Sequence, residues 1–247
     1  MFHFDVCGFN ETKSFTSHDL SLEDVMIEFE GESSIWTGAL DGSISVLTTE
    51  NDGNRVALSE KLAILSTPHS SPITKICTCP EYVAIGESRG LVSLWRRNTL
   101  IRLISHPGPV VDLAWSVSSP DILAIAGGKT VNFYSVFQGK VTGQINTENE
   151  ICRIVWSINT SEIVISTDSL DENLSLCSYP EIKIQNCWVG HDFSPIFLGL
   201  CGNGSSLISA SSDEFIKVKE VSLTESFGIF SHPKRGRTLY FNVFVKT

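Results

Sequence analysis

The stretch His106-Pro-Gly-Pro-Val-Val-Asp-Leu-Ala-Trp115, followed by Ile122-Leu-Ala-Ile-Ala126, a Gly127-Gly128 turn and Val131-Asn-Phe-Tyr134, decides the fold because it recurs. The next copy runs from Glu150-Ile-Cys-Arg-Ile-Val-Trp156 through Glu162-Ile-Val-Ile-Ser166 to Leu174-Ser-Leu-Cys177-Ser-Tyr-Pro180, with Trp156 forty-one residues after Trp115. A third opens at Gly190-His191, passes Leu207-Ile-Ser-Ala-Ser-Ser212, turns at Asp213-Glu214 and ends at Ile216-Lys-Val-Lys219. Upstream, His69 opens Ile73-Thr-Lys-Ile-Cys77, Tyr82-Val-Ala-Ile-Gly86, a Ser88-Arg89-Gly90 turn and Leu91-Val-Ser-Leu-Trp95. Another copy runs from His18-Asp19 through Val25-Met-Ile-Glu-Phe29 and Ser34-Ile-Trp-Thr-Gly38 to Asp41-Gly42 and Ser43-Ile-Ser-Val-Leu47.

Each copy strings short runs of Val, Ile and Leu between Gly, Asp, Asn or Pro, which is strand and turn punctuation with no helical stripe. Asp41-Gly42 is the strongest single hairpin signal. A repeat of about forty residues built from four strands describes a propeller blade, and one such sheet cannot cover both of its faces alone. The expected fold is therefore all-β, a propeller with five legible blades near 18–48, 69–97, 106–136, 149–180 and 190–220. Phe2-His-Phe-Asp5 reads as the last strand of a sixth, so the array is incomplete relative to a seven-bladed ring. Residues 224–247 read as a non-repeat tail, whose Phe227 to Val245 stretch is a candidate for covering a sheet edge.

Composition narrows the function. The chain has 247 residues, 42% hydrophobic, and a formal net charge of -10, which argues against a face that tracks nucleic-acid phosphates. The opening MFHFDVCGFNETKSF lacks a basic region followed by an apolar stretch, so no secretory signal is expected. No run approaches the ~18 apolar residues of a membrane span. Seven cysteines without paired spacing suit reduced thiols in cytoplasm or nucleus.

Motifs for chemistry are weak. Gly127-Gly-Lys-Thr130 lacks the earlier glycine of a phosphate loop, since Leu123 stands there. The histidines recur mainly at blade openings, without a second His or Cys at metal-ligand spacing. No nucleophile elbow or His-Glu-x-x-His helix occurs. The expectation is a binding platform and not an enzyme, with no catalytic, cofactor or metal site and no small-molecule ligand. His232-Pro-Lys-Arg-Gly-Arg237 is the one basic cluster, readable as a docking patch or as a solvated tail. The triplets Asn10-Glu-Thr12 and Asn159-Thr-Ser161 carry weight only in a secreted chain.

The blades resemble WD40 repeats. That resemblance implies a buried hydrogen-bonded tetrad of His, Ser or Thr, Asp and Trp, and predicts His191, Ser209 and Asp213 as three members in the last blade. Lys219 stands where the Trp would be, as do Tyr134, Cys177 and Leu47 in their own blades; Trp95 keeps it. A missing partner leaves a buried polar group costing ~1–3 kcal/mol, so the last blade should be softer than a consensus one.

Within the WD40 group, PGPVVDLAWSVSSPDILAIAGGKTVNFYSVFQGK, EICRIVWSINTSEIVIST with NLSLCSYP, and GHDFSPIFLGLCGNGSSLISASSDEFIKV resemble blades five, six and seven of the Fizzy and Fizzy-related family. On that register His69 to Trp95 is blade four and His18 to Leu47 blade three. The chain resembles a divergent, N-terminally truncated member, akin to the insect Cortex branch. The resemblance implies a substrate-recognition adaptor of the anaphase-promoting complex, a ubiquitin ligase, that binds degron-bearing proteins in cell-cycle or meiotic regulation. The alternative is a propeller scaffold or dominant-negative decoy that does not engage the ligase.

The family's destruction-box groove lies between blades one and seven, where an acidic side chain in the Asp-Glu turn meets the degron arginine. Glu214 matches that position; read from the residues alone, it is equally an exposed hairpin charge. The KEN-reading face is altered, with Ser194 where a basic residue is usual and Glu150 where a polar amide often occurs. The C-box, blade one and most of blade two are missing from the match, and Lys246-Thr247 replaces the Ile-Arg tail, so neither ligase handle is expected.

Overall fold

The computed structural model describes residues 3–8, 11–16, 22–28, 34–51, 56–65, 71–96, 98–158, 160–201, 206–220 and 227–231. Every regular element among them is a strand. The chain divides into two compact units, residues 1–113 and 114–247.

The first unit opens with a hairpin of β1 (His3–Gly8) and β2 (Glu11–Thr16). Two four-stranded antiparallel sheets follow. One holds β3 (Leu22–Glu28), β4 (Ser34–Ala39), β5 (Ile44–Asn51) and β6 (Val56–Leu65) in chain order. The other holds β7 (Ile73–Thr78), β8 (Val83–Glu87), β9 (Leu91–Arg96) and β10 (Thr99–Ser105). The division between units falls within β11 (Asp112–Trp115), which leads β12 (Ile122–Gly127), β13 (Thr130–Ser135) and β14 (Lys140–Asn146). The remaining sheets are β15 (Ile151–Trp156), β16 (Glu162–Thr167), β17 (Leu174–Ser178) and β18 (Lys183–Trp188), then β19 (Pro195–Cys201), β20 (Ser206–Ser211), β21 (Phe215–Glu220) and β22 (Phe227–Ser231).

The same gradient runs through each sheet whose burial is described throughout. The second strand has an apolar centre and nearly every side chain buried, as in Val83–Glu87 and Ile122–Gly127, while the fourth strand is largely exposed. A strand buried on both faces reads as unbroken Val, Ile and Leu, without polar alternation. In the first unit Trp36, Ile44, Ile73, Ile76, Ile85 and Trp95 form one core, with the Trp36 and Trp95 ring centroids 6.3 Å apart. Gly38 lets β4 lie against β7: a Cβ there would meet Ile73 at 2.5 Å. In the second unit Phe133, Trp156 and Tyr179 pack mutually at 5.0–5.7 Å between centroids.

The structure corrects two boundaries. Phe2 to Asp5, expected as the last strand of a sixth blade, is described from His3, where the strand His3–Gly8 is followed by another, Glu11–Thr16, that pairs with it. Phe227–Ser231, assigned to the tail, is instead the fourth strand of the last sheet, with Lys219 opposite Phe227. Fourth strands lie outside the apolar repeat pattern, so the repeat reading stopped one strand short in every blade. His18, His69 and the His232–Arg237 cluster lie outside the described residues.

Candidate functional site

The last sheet carries the site. The segment between β18 and β19 opens at Gly190 and His191, where the backbone passes so close to Leu174 that a Cβ on Gly190 would stand 2.3 Å from its Cδ1. His191 is fully buried. Its Nδ1 lies 2.8 Å from Asp213 Oδ2 and its Nε2 2.8 Å from Ser209 Oγ. With Nδ1–H donating to the carboxylate, Nε2 accepts from the serine hydroxyl. Asp213 also accepts from Asp192 N at 3.2 Å and Phe215 N at 3.0 Å, so one carboxylate fastens both loops.

This Asp-His-Ser order is the order of a hydrolase triad, but Ser209 is only 3% exposed. A nucleophile sealed from solvent meets no substrate, so the chain of bonds acts as a tie. Among the described residues no group of three or more His, Cys, Asp or Glu could hold a metal ion, and no helix is long and apolar enough to cross a membrane.

The fourth tetrad position is rebuilt. Lys219 is buried, and its Nζ sits 4.0 Å from the Trp188 ring centroid. Burial pushes its pKa down; the ring face, attractive to a cation, offsets part of that penalty. Trp188 Nε1 is buried without a hydrogen-bond acceptor. By contrast Trp95, in the first unit, donates its Nε1–H to Ser93 Oγ at 2.7 Å.

The structure also adds a residue that the sequence reading passed over. Asn173, fully buried just before β17, donates to His191 O at 2.6 Å and accepts from Gly190 N at 2.8 Å and His191 N at 3.2 Å. It holds the opening of the last sheet from the preceding one. Its signal, a lone Asn before a strand, is indistinguishable in sequence from ordinary turn punctuation.

Glu214 stands exposed at the β20–β21 turn with a φ of 69°. The neighbouring loop is bonded to this turn through Ser211 Oγ, which donates to Phe193 O at 3.0 Å and Ser194 O at 3.1 Å. Exposed around it are Asp192 and large apolar side chains: Phe193, Ile196 and Phe215. Ser194 and Glu150, expected on one altered face, both act on Cys152. Burial, then Asp168, raises that thiol's pKa, Ser194 lowers it by a side-chain hydrogen bond, and Glu150 adds a small rise. Arg153 also lowers it by its charge, while its Nε donates to Ile196 O at 3.0 Å and its Nη1 to Cys152 O at 2.7 Å.

With this geometry in view, the likenesses to known proteins are informative. No protein-family model matches. The chain is 26% identical over 149 residues to the Arabidopsis thaliana protein "Cell division cycle 20.1, cofactor of APC complex", covering 56% of this chain and 33% of that one. It is 23% identical over 141 residues to "Protein FIZZY-RELATED 3" of the same plant, covering 55% and 29%. The chain is a divergent relative of the Fizzy and Fizzy-related proteins. A solved structure described as "Crystal Structure of Mitotic Checkpoint Complex" superposes on this chain with a TM-score of 0.73 at 21% identity, covering 85% of this chain and 65% of that one. That likeness shows the WD40 propeller fold. The chain spans about a third of the length of these curated relatives.

Proposed function

We propose that this chain is a substrate-recognition adaptor of the anaphase-promoting-complex activator type, whose last sheet supplies one side of a destruction-box groove with Glu214 receiving the degron arginine. The observation that carries this reading is a pair of turns. In Leu40-Asp41-Gly42-Ser43, Asp41 Oδ1 accepts from Ser43 N at 2.8 Å and Gly42 takes a φ of 83°. In Ser212-Asp213-Glu214-Phe215, Asp213 Oδ1 accepts from Phe215 N at 3.0 Å and Glu214 takes a φ of 69°. A left-handed backbone suits glycine and costs a side chain about 1 kcal/mol. A glutamate kept where glycine is easier points to use of its carboxylate.

An arginine could meet that carboxylate with two parallel hydrogen bonds, while Phe193, Ile196 and Phe215 offer apolar surface for an aliphatic degron side chain. Two relatives named as cofactors of the APC complex support the adaptor reading over an enzyme. The environment of Cys152, with Glu150 and Asp168 beside it and Arg153 committed to backbone carbonyls, favours a destruction-box reader that does not read KEN.

The test is a pull-down with the chain as bait and a destruction-box peptide as competitor. Substrate capture that Glu214→Ala abolishes, together with ligase subunits in the bound fraction, fits the adaptor. Capture that is indifferent to Glu214→Ala, without ligase subunits, would return the chain to the scaffold or decoy reading.

A further inference from the structure

In β7, β15 and β19, the first strands of their sheets, the pairing register slips by one residue near the start. The extra residue is Thr74 in β7, Cys152 in β15 and Ile196 in β19. Such a bulge leaves one residue outside the ladder and re-aims its side chain. In the first two the bulged side chain is spent on the segment that opens a following sheet. Thr74 Oγ1 donates to Val110 O at 2.7 Å, and Cys152 shares a side-chain hydrogen bond with Ser194. Ile196 belongs to the last sheet, which no further sheet follows among the described residues. It puts an aliphatic side chain at this place and is 53% exposed.

The Ile196 bulge is also held from outside its own sheet. Its carbonyl accepts from Arg153 Nε at 3.0 Å, and Nη1 of the same guanidinium donates to Cys152 O at 2.7 Å. One side chain therefore fastens the bulged carbonyls of two consecutive sheets. A carbonyl displaced from a ladder needs a donor from elsewhere. The rigid fork of an arginine can serve two at once, whereas a lysine ammonium presents no such fork.

We propose that Arg153 is a positioning residue for the binding site: by holding the Ile196 bulge it fixes that side chain as the anchor for the aliphatic residue of the bound segment. This rests on the reading of Glu214 as receiver of the degron arginine, and it divides the site into two halves. The charged half is built on Asp213, whose Oδ1 accepts from Phe215 N at 3.0 Å beside Glu214. The aliphatic half is built on Arg153, one sheet away, whose two bonds go to backbone carbonyls, so that it acts through Ile196. An anchor that must be ordered on binding returns less of its burial as affinity than one already fixed. Removing Arg153 should therefore erase selection for the aliphatic residue and leave selection for the arginine intact.

The experiment titrates the full chain with three fluorescent peptides: a destruction-box peptide, the same peptide with its arginine changed to Ala, and the same with its aliphatic residue changed to Ala. On the unaltered chain each change should weaken binding about tenfold, the scale of one buried aliphatic side chain or one charge-assisted pair. With Arg153→Met or Arg153→Lys the aliphatic penalty should fall to about twofold while the arginine penalty stays about tenfold. Ile196→Ala, a change at an exposed side chain, should do the same, and Glu214→Ala should give the reverse split. Each penalty is a ratio taken within one variant, so a modest loss of stability cancels. Without peptide, hydrogen exchange over residues 193–197 should quicken in Arg153→Met. Arg153 variants that weaken all three peptides by one common factor, that keep the tenfold aliphatic penalty, or that leave the exchange unchanged would overturn the positioning role. An arginine penalty that survives Glu214→Ala would instead overturn the degron reading, and failure of every peptide to bind would overturn both.

Discussion

Two histidines open blades at corresponding places in the repeat and meet different fates. In the second unit His191 is tied on both ring nitrogens, by Asp213 and Ser209 at 2.8 Å each. In the first unit His106 is also buried, but its Nδ1 turns to Gly108, 2.9 Å from the carbonyl oxygen and 3.2 Å from the amide nitrogen, one of which it can engage, and its Nε2 has no partner. The sequence that follows His106 explains the difference: β12 carries no hydroxyl, and the Gly127-Gly128-Lys129 turn carries no carboxylate. A repeat can keep its histidine after losing the partners that made it useful, and the ring then contributes packing more than polar cohesion.

The largest contrast should come from deleting each ring. We expect His191→Ala to destabilise the chain by about 3 kcal/mol, because it opens a cavity and leaves Ser209 and Asp213 short of a partner. His106→Ala should cost clearly less, about 1–2 kcal/mol, since it removes a nitrogen already unsatisfied. Urea titrations of both variants check this, and equal losses would break the comparison. Next in size is Asn173→Ala, which removes one donated and two accepted bonds at the opening of the last sheet and should cost about 2 kcal/mol. The same titration reads it, and an unchanged midpoint would show that Asn173 is not the clamp.

A smaller effect of opposite sign sharpens the functional reading. Glu214→Gly should stabilise by about 1 kcal/mol while abolishing peptide binding. Glu172, at the β16–β17 turn with a φ of 52°, should gain similarly on Glu172→Gly without touching binding. Thermal melts paired with peptide titrations separate the two residues, and loss of binding in both would contradict the assignment.

The smallest effect concerns Lys219. Its folded pKa lies below the ordinary 10.5, with burial the cause. The unfolded chain therefore holds that proton more tightly, so the penalty is full at neutral pH and fades as pH rises from the folded pKa toward 10.5. Lys219→Met should be the more stable protein near pH 7 by about 1 kcal/mol or less, with the gap narrowing in alkaline buffer. A gap that widens with pH would contradict this sign.

The sequence revealed those parts of the molecule where burial writes itself into residue type. β8, β12 and β16 are packed on both faces, so each has an apolar centre, Val83–Ile85, Ile122–Ala126 and Ile163–Ile165, and the spacing of these centres exposed the repeat. Outer strands such as Lys183–Trp188 and Thr99–Ser105 are largely exposed, leave no such pattern, and read as gaps between blades. The three tetrad residues could be named because each must be a specific polar type at a fixed turn offset. Asn173 could not, since its partners are backbone atoms of the next sheet, and backbone leaves no mark in sequence. The Lys219–Trp188 stack escaped for a related reason: it joins a third strand to the preceding sheet's fourth, a pairing that only packing defines.

The most direct test of the account is a double-mutant cycle between Glu214 and the arginine of a destruction-box peptide, measured by calorimetry on the full chain. If the carboxylate receives that arginine, Glu214→Ala and an Arg-to-Ala peptide should each weaken binding, and together should cost about 1.5 kcal/mol less than their sum. Additive losses, or binding unchanged by Glu214→Ala, would mean that the turn holds its glutamate for some other partner.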